Sequence, residues 1–221
     1  MTDDKIFGRI DHTNLKAFAT WEDIVKLCDE AIKYKMVSVC VPQSYVKRIS
    51  ETYQDNINIC TVIGFPLGYQ LSESKIIEAK ESIKNGASEI DMVINITDVK
   101  NGDYDRVLKE ISDIKKACGD KILKVIIETC FLTNDEKIKL CKVVTDAGAD
   151  YIKTSTGFGT GGATREDVIL MKENIGANVK IKAAGGVRTK SDLIDFIELG
   201  CDRIGTSSAI DIMNDKKAEA Y

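Results

Sequence analysis

Two lysines and one aspartate carry the chemical interest of this sequence. Lys153 closes a short apolar run, Tyr151-Ile-Lys153, and is followed by Thr154-Ser155-Thr156-Gly157, while Lys182 closes the next such run, Val179-Lys-Ile-Lys182. A lysine at a strand end is ordinarily a solvated surface group. If the two runs are neighbouring parallel strands, the two ammonium groups become neighbours. A nearby cation disfavours protonation, which lowers a lysine's pKa and frees its amine as a nucleophile. Asp91, in Glu89-Ile-Asp91, offers a carboxylate that balances the paired charges and can carry protons through a bound water. Two lysines and an aspartate are the minimal set for imine chemistry on a carbonyl. The single histidine, His12, cannot assemble a His-rich zinc site, so no metal is expected, and imine chemistry on a lysine needs no cofactor.

The glycine-rich segments indicate what would hold a substrate. Ala184-Gly185-Gly186-Val187 follows the Lys182 run, and Gly205-Thr206-Ser207-Ser208 follows the last apolar run. Either alone is a routine turn. Together they occupy the two loops in which α/β barrels often bind phosphate through backbone N–H groups and hydroxyls, with a short helix after Ser207 aiming its positive end at the anion. Gly157-Phe-Gly-Thr-Gly-Gly162 also matches a dinucleotide-binding pattern. It falls late in the chain, and the following run ends in a lysine where a ribose-binding acid belongs. It is read here, with Thr156, as a loop that closes over the substrate.

Elements that could position these residues alternate from end to end. Strands are predicted at Arg9–Asp11, Val37–Val41, Asn58–Ile63, Glu89–Ile94, Ile122–Ile127, Tyr151–Lys153, Val179–Lys182 and Asp202–Ile204. Helical patterns lie near 22–34, 43–53, 72–85, 103–117, 134–147, 164–175 and 189–198, with Ser72 and Ser191 as candidate caps. Eight mostly apolar strands alternating with helices describe a parallel sheet covered by helices. A single-domain (β/α)8 TIM barrel is the natural reading, and a doubly wound open sheet is the alternative. Gly86-Ala-Ser-Glu-Ile-Asp91, Gly148-Ala-Asp-Tyr-Ile-Lys153 and Gly200-Cys-Asp-Arg-Ile-Gly205 repeat one unit. In each, a helix ends on a glycine and a short strand follows. Asp91, Lys153 and Gly205 are therefore expected at similar height near the mouth of the barrel.

Composition narrows the remaining classes. With 221 residues, 43% hydrophobic and 30% charged, the chain has room for one substantial core. A net charge of −4 gives no electrostatic case for nucleic acid or an anionic membrane. No apolar run is long enough to span a bilayer, and the N-terminus is polar, so a cytoplasmic protein is expected. The seven cysteines are scattered without a C-x-x-C pair and read as small hydrophobes in a reducing compartment.

The sequence resembles the deoxyribose-phosphate aldolase family over nearly its whole length. The resemblance rests on Ile10-Asp-His-Thr13, Val39-Cys-Val-Pro42, Val62-Ile-Gly-Phe-Pro-Leu-Gly68, Glu89-Ile-Asp-Met-Val-Ile-Asn95 and Lys124-Val-Ile-Ile-Glu-Thr129. It continues through Tyr151-Ile-Lys-Thr-Ser-Thr-Gly-Phe158, Lys182-Ala-Ala-Gly-Gly-Val-Arg188 and Gly205-Thr-Ser-Ser208. The order and spacing of these motifs make the match specific. The resemblance implies reversible cleavage of 2-deoxy-D-ribose 5-phosphate to acetaldehyde and D-glyceraldehyde 3-phosphate. It also implies Lys153 as the Schiff-base lysine, Asp91 and Lys182 as the proton donor and acceptor pair, and Gly185, Gly186, Ser207 and Ser208 in the phosphate loops. Asp11 and Cys40 are further pocket candidates. Asn14, Lys16, Tyr69-Gln70 and Ala209 depart from the family's pattern without removing a catalytic group. The terminal Tyr221 is read either as the end of a frayed tail from about 214 to 221 or as a phenol that folds into the mouth. The expected ligands are a sugar phosphate and an aldehyde, and the expected assembly is a homodimer or homotetramer. Two rivals remain: a transaldolase-like barrel with another donor, and a barrel that binds sugar phosphate without catalysis.

Overall fold

A computed structural model of the chain describes residues 1–214, so Tyr221 and nearly all of the expected tail lie outside the described residues. Eight parallel strands close into a barrel in sequence order: β1 (Ile10–Thr13), β2 (Ser38–Val41), β3 (Ile59–Ile63), β4 (Glu89–Val93), β5 (Ile122–Ile126), β6 (Tyr151–Lys153), β7 (Lys180–Ala184) and β8 (Arg203–Thr206). Among the described residues, ten α-helices surround or cap it: α1 (Asp3–Phe7), α2 (Trp21–Lys33), α3 (Gln43–Tyr53), α4 (Ser72–Lys84), α5 (Ile96–Lys100), α6 (Tyr104–Cys118), α7 (Asn134–Asp146), α8 (Arg165–Asn174), α9 (Lys190–Leu199) and α10 (Ala209–Met213). Closure excludes the open-sheet alternative. Among the described residues, no helix is long and apolar enough to cross a membrane.

The eight expected strands and seven long helices are all present, with ends displaced by one or two residues. The short α1 and α5 were not expected, because five residues are too few to show a helical period. Neither serine cap is realised. Leu71 precedes α4 without a side-chain cap, while the Ser72 hydroxyl donates to Glu110. Thr189, not Ser191, caps α9 in a reciprocal box with Asp192. The three repeat glycines end their helices at φ of 111°, 71° and 111° for Gly86, Gly148 and Gly200, a region that side chains with a Cβ rarely adopt.

Alternation along the strands separates two interiors. Ile10, Ile90, Leu123, Ile152, Ile181 and Ile204 point outward and are buried against the helices. Each such side chain contributes roughly 1.5–3 kcal/mol of hydrophobic stabilisation. His12 also faces outward, where its Nε2 lies 2.9 Å from Glu30 Oε2 on α2. The inward set is polar, which inverts the expectation of strands that are apolar throughout.

The register shows how the inward residues stack. Rising one residue at each strand pairing leads from Asp11 through Val39, Cys60, Ile90, Lys124, Ile152, Lys182 and Ile204 back to Asp11. This is the stagger of an eight-stranded α/β barrel, in which alternate strands fill successive four-residue layers. The even strands supply Cys40, Asp91, Lys153 and Gly205 to one layer. Beneath it the odd strands supply Asp11, Cys60, Lys124 and Lys182, and lower still lie Ser38, Glu89, Tyr151 and Arg203. Asp91, Lys153 and Gly205 do share one height.

Candidate active site

Lys153 forms part of the floor of a cavity of about 230 Å³ at the C-terminal end of the barrel. Its Nζ lies 2.7 Å from Asp91 Oδ2, and Lys182 Nζ reaches the same oxygen at 2.7 Å. Lys182 also pairs with Asp11 Oδ2 at 2.5 Å. Gly205 makes room for this arrangement, because a Cβ there would stand 3.2 Å from Lys182 Cε.

A third lysine, not singled out from the sequence, completes the network. Lys124 is fully buried and lies 2.8 Å from Asp91 Oδ1, 2.6 Å from Glu89 Oε2 and 3.2 Å from Cys60 Sγ. Arg203 grips Glu89 at 2.9 Å and pairs with Asp11 at 2.5 Å. The signal was present in Glu89-Ile-Asp91, where charges occupy alternate positions, and in the single charges Lys124 and Arg203 within otherwise apolar runs. An alternating pattern normally places its charged face in water. Only closure of the sheet reveals that this face is enclosed.

The buried charges hold one another ionised. Burial alone would raise the Asp91 carboxyl, but Lys124, Lys153 and Lys182 together hold it well below the usual carboxylate range. Asp11 is treated the same way: its burial is outweighed by Lys182, Lys124 and Arg203. Burial would lower Lys182, yet Asp11 and Asp91 raise it above the ordinary lysine value, so it remains an ammonium. Lys124 is likewise raised against its burial, by Asp91, Asp11 and Glu89. Burial together with Cys40 and Asp91 keeps Cys60 a thiol, and its Sγ donates to Asp91 Oδ1 at 3.1 Å.

The expected phosphate residues meet on the cavity wall. Thr156, Gly157, Gly185, Gly186, Gly205, Ser207 and Ser208 all line it, as do Arg188 and Thr13, which the sequence reading did not assign. Gly185 and Gly186 stand at φ of 73° and 75°. The Gly157–Gly162 segment lines the same cavity and packs on the loop after β7: a Cβ on Gly162 would fall 2.3 Å from the Gly185 carbonyl carbon. This is a lining loop in a closed barrel, without the open-sheet crevice in which dinucleotides bind.

Three expectations are corrected. Asp91 and Lys182 do not line the cavity but lie behind Lys153, fully buried. Asp11 and Cys40 are also enclosed below the cavity, and Cys40 packs with Leu15, Cys60 and Val62. The helix expected to begin at Ser207 begins at Ala209, and the Ser208 N–H is engaged by Thr206 Oγ1 at 3.2 Å. Cys40, Cys60 and Asp91 carry donor atoms within 4.8 Å of one another. Their lone pairs face Lys124 and Lys182, however, and those ammonium groups would repel a metal cation.

Comparison with known proteins places this site among relatives. The chain is 60% identical over its full length, and over all of the relative's, to a protein named deoxyribose-phosphate aldolase from Clostridium botulinum (strain Alaska E43 / Type E3). It is 61% identical, over 98% of this chain and 99% of the other, to one of the same name from Clostridioides difficile (strain 630). The tetrameric deoxyribose phosphate aldolase of Aeropyrum pernix superposes with a TM-score of 0.91 at 32% identity, covering 97% of this chain and 92% of that one. A family model described as DeoC/LacD family aldolase matches residues 8–207, which contain every strand of the barrel and the whole buried lysine network, and this chain belongs to that family of aldolases.

Proposed function

We propose that this chain reversibly cleaves 2-deoxy-D-ribose 5-phosphate to acetaldehyde and D-glyceraldehyde 3-phosphate through an imine on Lys153. The observation that carries the reading is the placement of Lys153. Among the described residues it is the one lysine on the cavity wall, and Asp91 and Lys182 stand directly behind it. The relatives' shared name supports the substrate.

The Lys153 amine attacks the aldehyde carbon of the open-chain sugar, and loss of water leaves a protonated imine. The bond between carbons 2 and 3 then breaks as the 3-hydroxyl gives up its proton, and the electron pair moves into the imine to form an enamine. Glyceraldehyde 3-phosphate departs. Protonation of the enamine carbon and hydrolysis of the imine release acetaldehyde and restore the amine. Lys182, held as an ammonium, serves as the proton donor behind the reacting nitrogen. Asp91, held as a carboxylate, accepts hydrogen bonds from both lysines and carries the opposite half of the relay through water.

Asp11, Glu89 and Asp91 offset Lys124, Lys182 and Arg203 within the enclosed network. Gly185, Gly186, Ser207 and Ser208, with Thr156, Gly157, Gly205 and Arg188, take the phosphate and supply binding energy remote from the reacting carbon. Residues 1–221 act as one domain in a cytoplasmic homo-oligomer, a dimer or a tetramer like the Aeropyrum pernix relative.

Borohydride reduction in the presence of acetaldehyde, followed by mass spectrometry, tests the reading. The expected result is a two-carbon adduct on Lys153 that is lost in Lys153→Ala. No adduct, or an adduct on another lysine, overturns it. A donor preference for larger ketones would point to the transaldolase-like alternative, and ligand binding without trapping to a non-catalytic barrel.

A further inference from the structure

Glu128 is a buried carboxylate for which the imine chemistry has no use. It follows β5 in the left-handed region, at φ 52° and ψ 69°. A side chain bearing a Cβ costs roughly 1–3 kcal/mol in such a conformation and persists only where its surroundings impose it. Here both neighbours are pinned to β6 and its extension. The Ile127 N–H donates to Lys153 O at 3.1 Å, and the Thr129 N–H donates to Thr154 O at 3.0 Å. Between these two bonds the backbone turns Glu128 beneath the segment that follows Lys153.

The carboxylate organises that segment at several points. It is 2% exposed and accepts the Thr156 N–H at 3.2 and 3.3 Å on its two oxygens. The Thr156 hydroxyl donates to Oε2 in a short hydrogen bond, and the same hydroxyl accepts the Phe158 N–H at 3.0 Å. A Cβ on Gly159 would stand 3.1 Å from Glu128 Cδ, so the loop folds back onto the carboxylate. Thr156, Gly157 and Gly159 form cavity wall. Burial pushes the Glu128 carboxyl up, against the opposing Thr156 hydrogen bonds and the Lys153 charge.

We propose that Glu128 is a positioning residue that sets the Thr156–Gly162 loop to receive the phosphate end of the substrate. The proposal rests on the aldolase reading above. It predicts a loss confined to substrates that carry the phosphate, because the loop lies on that side of the cavity and Glu128 does not line it.

The test compares kcat/KM for 2-deoxyribose 5-phosphate with that for 2-deoxyribose in wild type, Glu128→Gln and Thr156→Val, with melting temperatures recorded for each. The preference for the phosphorylated sugar is expected to fall at least tenfold in Glu128→Gln and in Thr156→Val, with most of the loss in KM. Thr156→Ser, which keeps the hydroxyl, is expected to retain the preference. The double variant is expected to be no worse than the more affected single one, because both act through one hydrogen-bonded unit. An equal loss on both sugars, or an unaltered preference in the single variants, overturns the proposal. If Glu128→Gln fails to fold, Glu128→Asp, which keeps the carboxylate on a shorter arm that reaches Thr156 less well, decides by the same ratio. Failure of wild type to form the Lys153 adduct would instead remove the aldolase reading itself.

Discussion

The Nζ atoms of Lys153 and Lys182 share one carboxylate oxygen, each lying 2.7 Å from Asp91 Oδ2. Only Lys153 reaches the cavity. The two lysines are therefore unequal: one meets substrate, and the other is an enclosed cation fixed between Asp11 and Asp91.

Lys182→Met keeps most of the side-chain volume and removes the charge. Its turnover is expected to fall by about 10²–10⁴, the usual range for loss of a positioned acid or base. Lys153→Ala abolishes both turnover and trapping. Single-turnover kinetics at several pH values separate the two, and the idea fails if Lys182→Met retains wild-type rates across the range.

Lys124 never meets the cavity, yet it touches Asp91, Glu89 and Cys60. Lys124→Met leaves buried carboxylates short of a partner, which typically costs about 3–5 kcal/mol. Denaturant unfolding should show that loss as a lower midpoint. A midpoint equal to wild type would mean that the network tolerates one missing cation.

Asp11 has its folded pKa depressed by Lys182, Lys124 and Arg203 despite burial. Its contribution to stability is therefore complete above the unfolded value, about 3.9. It is lost progressively as pH falls below that, because the unfolded chain then binds a proton that the folded one refuses. Asp11→Asn should be less stable at neutral pH and show a shallower acid limb than wild type. Melting temperatures between pH 5 and pH 2, as an approximate window for an ordinary carboxylate, check the slope. An unchanged slope would place the acid sensitivity elsewhere.

Glu128 carries the opposite sign. Its folded pKa is raised, with burial the largest cause, so the stability linked to its proton is present below the unfolded value and declines as pH rises through the folded one. Glu128→Gln should remove that decline. Comparison of the two melting curves above pH ~4.3, the ordinary glutamate value, reads it directly.

Gly162 touches the loop after β7 so closely that a Cβ would lie 2.3 Å from Gly185 backbone. Gly162→Ala must push the two loops apart. KM for the phosphorylated sugar should rise by about tenfold, equivalent to a loss of roughly 1.4 kcal/mol. A KM equal to wild type would show that the loops separate freely.

The strand and helix alternation was legible in the sequence because short apolar runs alternate with helical periods, and a helix-ending glycine precedes β4, β6 and β8. Gly86, Gly148 and Gly200 punctuated it correctly, and Asp91, Lys153 and Gly205 fell at one height because all three follow the same glycine by five residues. The glycine and serine loops were legible for a similar reason: residues near one another in the chain carry the pattern. Lys124, Arg203 and Glu89 were not, because a lysine within Ile122-Leu-Lys-Val-Ile126 reads locally as a charge on the solvent face of a strand. Glu128 was hidden by its backbone, since nothing in Ile127-Glu-Thr129 announces a left-handed turn at a glutamate.

The order of the elements, the lysine at the end of β6 and the composition of the loops around it could be read from the residues alone, because these depend on local propensity and spacing. Which charges share an interior could not. That outcome depends on the stagger by which eight strands close, rising one residue at each pairing. The stagger sets Lys124 from β5 beside Asp91 from β4 and brings Asp11 from β1 to Lys182 from β7. With water excluded from that interior, each charge is held by partners far away in sequence, and Lys153 alone of the three lysines is left at the cavity.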